Sequence, residues 1–371
     1  MTSIRVPLSL LVAAGRWEFG RLSRGRPTPY KLEIMTTFAC QGRCRTCNIW
    51  SRYLEAPDDR LRELSADEIL RFTTSVREQV GWISLTGGEA TLRNDLLEIV
   101  EGIVRAYDRR LVLLSITTNG LDPMRGGAVF SEIARMTKGR TSVFVSVSLD
   151  GVGDEYDRVR GVPGGFLKVC SSMETLTRLS REHSHFTAGY QMTLSRLNAG
   201  HAVETYQFAR QAPSAPTVTI ATDSHQLTQG KAGICVLNDV PTVGPILDRI
   251  AKRVRLTGFE AITSRVYLEL AREYLESGVA PLDCVGGEVA VTIDPYGNVL
   301  PCDVIDLPLG NLHETDFDLL RLIRGPSYRE GMANVRGCRK CWTPCLAYPT
   351  ILHRPMKALC SILGSRVGGH D

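Results

Sequence analysis

This 371-residue chain has no apolar run near the roughly 20 residues a membrane helix needs; its longest are fragments such as LSLLVAA (8–14) and LVLLSI (111–116). A helical membrane span is therefore not expected. It lacks a strong charge of either sign: 44 Lys and Arg stand against 40 Asp and Glu, an excess too small and scattered to mark a nucleic-acid-binding surface. No tandem repeat and no low-complexity segment interrupts it, which excludes solenoids and disordered tracts. Of the 7 histidines, His183, His185, His201 and His225 show no ligand spacing with one another. The 11 cysteines are odd in number and unevenly placed, which excludes a small secreted disulfide framework. Metal or redox chemistry in a reducing, cytoplasmic compartment fits them better.

What is present is ordinary in bulk. An apolar fraction of 43% and a charged fraction of 23% allow a sizeable core, and the length favours a large α/β domain followed by a smaller one. Residues 1–29 form a basic amphipathic segment, with Ile4, Leu8, Leu11, Val12, Phe19 and Leu22 at helical spacing and arginines between them. Two readings fit it: a helix docked on the main domain, or a peripheral contact with an anionic membrane surface.

From Tyr30 to about Thr222, short β-type runs alternate with longer helical ones. The strand candidates are 30–37, 82–86, 111–118, 143–149, 188–194 and 217–222, which predicts six parallel β/α units and an incomplete barrel. Ser65 followed by Glu68 marks a helix start by its capping box. Small or polar clusters end several strands: the cysteine loop, GGEAT (87–91), NG (119–120) and DGVGD (150–154). Parallel α/β proteins place their chemistry at that edge. Helical patterns at 244–256 and 260–277 make a bridge over 226–281. From Cys284 onward, EVAVTIDPYGNVLPC reads as a hairpin, followed by a short helix near 316–324 and the run CRKCWTPC.

Cys40, Cys44 and Cys47 are spaced C-x3-C-x2-C directly after the first strand candidate. A structural zinc uses four closed ligands. Three thiolates instead hold a cubane [4Fe–4S] cluster by three corners and leave one iron open to a substrate or cofactor. Arg43 and Arg45 in the same loop either face water or stabilise the more negative reduced cluster.

This loop, with Gly87, Gly88 and Glu89 ending the second strand, resembles the radical S-adenosylmethionine superfamily. The likeness runs through roughly 30–225, with TTNG (117–120), SLDG (148–151) and YDRVRG (156–161) resembling the family's later strand ends. It implies a partial (β/α)6 TIM-like barrel and a [4Fe–4S] cluster on Cys40, Cys44 and Cys47 whose open iron binds S-adenosyl-L-methionine. Gly87, Gly88, Glu89 and Asn119 would lie at that cofactor, Ser148 at its ribose or carboxylate, and Arg160 at its carboxylate, with Arg158 competing. One departure is Thr46, where the family commonly has an aromatic or large residue.

Residues 282–371 resemble the SPASM or shortened Twitch extension. Cys284, Cys302, Cys338 and Cys341 would hold an auxiliary [4Fe–4S] cluster, with Cys345 an alternate ligand; a zinc on the same four thiolates is the competing reading. The resemblance implies reductive cleavage of S-adenosylmethionine to a 5′-deoxyadenosyl radical and hydrogen abstraction from a substrate. It also implies a reducing partner such as flavodoxin or ferredoxin. Net oxidation of a small molecule such as a sugar or alcohol, with the auxiliary cluster accepting the second electron, is the expectation. A SPASM-type peptide maturase and a non-catalytic iron–sulfur or zinc scaffold are the alternatives. Only about thirty residues precede the barrel, where such maturases often carry a peptide-recognition domain, and this weighs against the peptide reading.

Overall fold

The computed structural model describes residues 29–228, 233–237, 239–254 and 259–358. The basic N-terminal segment lies outside these residues, as does Cys360. Six strands run parallel in sequence order: β1 (Lys31–Thr37), β2 (Trp82–Gly87), β3 (Leu113–Thr118), β4 (Ser142–Ser148), β5 (Phe186–Leu194) and β6 (Thr217–Ile220). All six expected strands form, with ends moved by a residue or two.

Strict alternation explains how each strand sits. Ile83 and Leu85 of β2, Leu114 and Ile116 of β3, and Val145 and Val147 of β4 are buried on one face. Successive side chains point to opposite faces, so Ser84, Ser115 and Ser146 point the other way, into the barrel interior. The apolar face is covered by α1 (Ala66–Ser75), α2 (Leu96–Tyr107), α3 (Pro123–Met136) and α5 (Gly165–Glu182), with α4 (Asp154–Arg160) preceding α5 and α6 (Ala202–Ala209) preceding β6. The expected capping box opens α1: Ser65 N donates to Glu68 Oε2 at 2.8 Å, and Glu68 N donates back to Ser65 Oγ at 3.3 Å. The result is a mixed α/β fold, a partial barrel with a C-terminal extension.

How that extension joins the barrel is not written in any local pattern. β7 (Ala290–Ile293) adds parallel to β1, and β8 (Asn298–Leu300) and β9 (Gly310–Asn311) follow antiparallel, so one sheet runs β6-β5-β4-β3-β2-β1-β7-β8-β9. The expected hairpin at 288–302 is β7 and β8; the short expected helix is α9 (Leu319–Arg324), with α10 (Pro326–Ala333) after it. The bridge helices α7 (Val240–Ala251) and α8 (Phe259–Ser277) share a second core with β5, β6 and the last helix, α11 (Pro344–His353). Trp342 fixes that junction. Its ring stacks on Tyr267 at 9° between planes, its Nε1 donates to Tyr267 O at 3.1 Å, and Tyr267 OH donates to Trp342 O at 3.3 Å. Among the described residues, no helix is long and apolar enough to cross a membrane.

Candidate active site

The cysteine loop leaves β1 pinned on two sides. On one side, Gly88 N donates to Thr37 O at 2.7 Å and Glu89 N to Ala39 O at 2.8 Å. On the other, Arg43 N donates to Arg160 O at 3.2 Å and Arg45 N to Val159 O at 2.9 Å, at the end of α4. The first seam requires glycine: a Cβ on Gly88 would fall 2.3 Å from Ala39 O, and Gly87 adopts φ +118° with its own Cβ position 2.4 Å from Thr37 O. Inside the loop, a Cβ on Gly42 would lie 3.4 Å from Cys44 Sγ and 3.5 Å from Cys40 Sγ, so both sulfurs face one point. Burial pushes the Cys40 thiol up to about 11 and the Cys47 thiol up to about 12, and the neighbouring thiols add to both. Metal binding must therefore displace protons here.

Arg160 is the cation at this loop. Arg43 and Arg45 are exposed, and Arg158 pairs at the surface with Glu155 at 2.6 Å. Arg160 is 8% exposed; its Nη1 donates to Cys44 Sγ at 3.3 Å and lies 3.3 Å from Asp150 Oδ2, without the alignment of a hydrogen bond. Its buried Nε and Nη2 have no partner. Asn119 Nδ2 approaches Cys40 Sγ at 3.6 Å.

Glu89 takes a different position from the expected one. Its carboxylate does not line the cavity; it is fully buried in the seam between β2 and β3, accepting from Asn119 N (2.7 Å), Thr118 Oγ1 (3.0 Å), Thr91 Oγ1 (2.6 Å) and Thr91 N (3.2 Å). Burial raises its pKa, and these donors oppose the rise. It orients Asn119 and the end of β2.

Beneath the loop lies a cavity of about 460 Å³ whose lining includes the three loop cysteines, Thr46, Gly87, Gly88, Asn119, Ser148 and Arg160. The inward strand positions supply hydroxyls and amides. Ser146 Oγ donates to Gln191 Oε1 at 2.9 Å, Gln191 Nε2 to Thr219 Oγ1 at 3.1 Å, and Trp82 Nε1 to Ser115 Oγ at 2.8 Å. By local pattern these runs read only as strands. The alternation of serine and threonine with aliphatic residues was the signal for a polar interior.

Five C-terminal cysteines lie among the described residues: Cys284, Cys302, Cys338, Cys341 and Cys345. Cys284 N donates to Cys338 O at 2.9 Å. Burial pushes Cys284 up to about 11, with Cys338 adding to it, and raises Cys341, with Cys284 and Cys302 adding to it. Burial also pushes Cys302 up to about 12. Cys345 packs in the same cluster as Cys284 and Cys302 and also lines the barrel cavity, where its sulfur and the carboxylates of Glu33 and Asp303 lie within 4.8 Å of one another. Among the described cysteines, Cys170 and Cys235 are half-buried and do not line the barrel cavity.

Residues 34–209 match the radical SAM superfamily, and residues 284–342 match the SPASM iron–sulfur cluster-binding domain. The chain thus carries a radical SAM domain followed by a SPASM domain. Mycofactocin maturase MftC of Mycolicibacterium smegmatis is 26% identical over 286 residues, which is 76% of this chain and 66% of the relative. Sporulation killing factor maturation protein SkfB of Bacillus subtilis is 26% identical over 290 residues, 77% of this chain and 63% of the relative. This chain thus spans about two thirds of the length of each. Native anSMEcpe with bound AdoMet and Cp18Cys peptide has the same fold, with TM-score 0.56 and 16% identity over 91% of this chain and 100% of that one.

These domains imply an S-adenosylmethionine-binding [4Fe–4S] cluster, S-adenosyl-L-methionine and an auxiliary cluster. The residues present fit them. Three thiols share one loop at a cavity, a buried guanidinium beside them has two unpartnered nitrogens, and four further thiols gather in the C-terminal segment.

Proposed function

We propose that this radical SAM enzyme is a peptide maturase, modifying a carbon of a peptide residue held in the barrel cavity. The observation that carries this is that two relatives matching three quarters of the chain are both maturation proteins, MftC and SkfB. It replaces the expected oxidation of a sugar-like alcohol as the leading reading.

When bound, the clusters and S-adenosylmethionine supply one-electron chemistry able to take a hydrogen atom from an unactivated carbon. The chain supplies holding, orientation and exclusion of water. Cys40, Cys44 and Cys47 would hold the first cluster, and Cys284, Cys302, Cys338 and Cys341 the auxiliary one. The free Nε and Nη2 of Arg160 suit a carboxylate, which S-adenosylmethionine carries. Gly87, Gly88, Asn119 and Ser148 line the same wall. The interior hydroxyls and Gln191 can meet the N–H and C=O groups of a peptide backbone. Residues 30–225 act as the catalytic core, 226–281 as the bridge and 282–371 as the cluster domain, with a flavodoxin or ferredoxin as electron donor.

One observation favours the second reading: a hydroxyl-lined interior also suits a polyhydroxylated substrate. The test incubates the reconstituted enzyme, S-adenosylmethionine and dithionite either with short peptides encoded beside the gene or with sugar alcohols. A mass change or stereochemical change in a peptide supports maturation. An oxidised alcohol with every peptide untouched refutes it.

A further inference from the structure

Around the C-terminal thiols the charge is one-sided. Residues 331–358 carry Arg336, Arg339, Lys340, Arg354 and Lys357 and no acidic residue. Arg339 and Lys340 stand between Cys338 and Cys341, and with Arg336 they are exposed, so the loop bearing these two thiols is itself at the surface. Asp283, next to Cys284, draws two of the arginines together: Arg339 Nε lies 2.8 Å from its Oδ1, and Arg354 Nη1 lies 3.0 Å from its Oδ2. Among the described residues, Arg336, Lys340 and Lys357 make no ion pair, so this face keeps a net positive charge.

Two exposed apolar side chains flank the arginine pair. Val279, 47% exposed, precedes Ala280, whose N donates to Arg339 O at 2.9 Å. Met356, 70% exposed, follows Arg354 by two residues. An apolar contact rimmed by like charges is the anatomy of a small, charge-steered protein interface.

This face is also separate from the substrate cavity. Cys40, Cys44 and Cys47 line that cavity, and none of Cys284, Cys302, Cys338 and Cys341 does. A protein docked on the Cys338–Cys341 loop therefore need not block the cavity. The first cysteine loop offers Arg43 and Arg45 alone, and exposed acids, Glu55 and Asp58, follow soon after them in sequence.

We propose that this basic face is the docking surface for an acidic electron-carrier protein. The proposal rests on the reading that a flavodoxin or ferredoxin is the electron donor, and it says where that donor binds. Carriers of these classes present an acidic surface around their redox group, so opposite charges steer the encounter. Electron-transfer complexes bury little area, which suits a short contact around Val279 and Met356. Charge would draw an anionic membrane or a nucleic acid as well, but neither accounts for two thiols placed among the cations.

The test measures binding. Anaerobically reconstituted holoenzyme is titrated in a calorimeter with an oxidised flavodoxin and, separately, with an oxidised [2Fe–2S] ferredoxin. Wild type should bind at least one carrier at about 20 mM salt, and about tenfold or more weakly at about 200 mM. Arg336→Glu, Lys340→Glu and Lys357→Glu combined should weaken low-salt binding by about tenfold or more and flatten the salt dependence, with iron content as in wild type. If the triple variant takes up no iron, Arg336→Glu and Lys357→Glu, which lie outside the Cys338–Cys341 loop, carry the test singly. Each should weaken binding about threefold.

Unchanged affinity in these variants, or affinity lost instead in Arg43→Glu with Arg45→Glu, overturns the proposal and leaves the donor reading standing. So does equally tight and equally variant-sensitive binding of calcium-free calmodulin, an acidic protein with no redox group. Binding of phosphatidylglycerol vesicles that the variants abolish, with carrier affinity unchanged, makes the face a membrane contact and also overturns it. If neither carrier binds wild type at low salt, the donor reading fails and the proposal fails with it.

Discussion

Replacing Gly88 by alanine should damage the first cluster site selectively. Its new Cβ would sit 2.3 Å from Ala39 O, against an ordinary contact of 3.4 Å or more, so the two backbones must part by about 1 Å. Ala39 O accepts from Glu89 N at 2.8 Å and immediately precedes Cys40, so the displacement falls on that hydrogen bond and on the first thiol. Losing one buried hydrogen bond costs about 1 kcal/mol net, and overpacking against backbone adds about 1–3 kcal/mol. A loss of about 2–4 kcal/mol should lower the apoprotein's melting midpoint by about 5 °C or more. Anaerobic reconstitution of Gly88→Ala should then give about four iron atoms rather than about eight, with the C-terminal site filled. Gly200→Ala, where an added Cβ meets nothing within 4 Å, is the control and should match wild type. A Gly88→Ala protein with wild-type midpoint and full iron would refute the claim that this seam holds the loop in place.

Arg160→Ala strands the buried Asp150 carboxylate, which is 1% exposed, and should cost about 3–5 kcal/mol, read as a lowered unfolding midpoint. Arg160→Lys keeps the charge but not the planar donors; it should fold and should weaken S-adenosylmethionine binding by about tenfold or more in equilibrium dialysis. Changing Cys338 and Cys341 together to alanine should lower iron from about eight to about four atoms while leaving the barrel folded. Glu89→Gln puts an amide where four donors converge and should destabilise the fold by about 2–3 kcal/mol, measured by thermal unfolding.

The strands were legible because each carries a period-two pattern that local sequence fully contains; WISLT and VFVSVSL show it without any partner. The cysteine loop was legible because three thiols within eight residues have few structural uses. Long-range pairing was hidden: nothing local in AVTI says that it will extend the sheet beside β1. Spacing alone does not show that Cys345 reaches the barrel cavity beside Glu33 and Asp303 while packing in one cluster with Cys284 and Cys302. Arg43 and Arg45 are adjacent to the thiols in sequence, yet the cation at Cys44 Sγ comes from Arg160, more than a hundred residues away, through the backbone bonds between α4 and the loop. Sequence likewise does not show that the Glu89 carboxylate is held within the sheet by four donors.

The central claim is that Cys40, Cys44 and Cys47 form the site at which S-adenosylmethionine is reductively cleaved. The direct test is 5′-deoxyadenosine formation by the anaerobically reconstituted protein with dithionite, compared with Cys44→Ala. The account predicts formation by wild type and none above background in the variant, because no other described thiol can replace that corner. Cleavage by Cys44→Ala at the wild-type rate would contradict it.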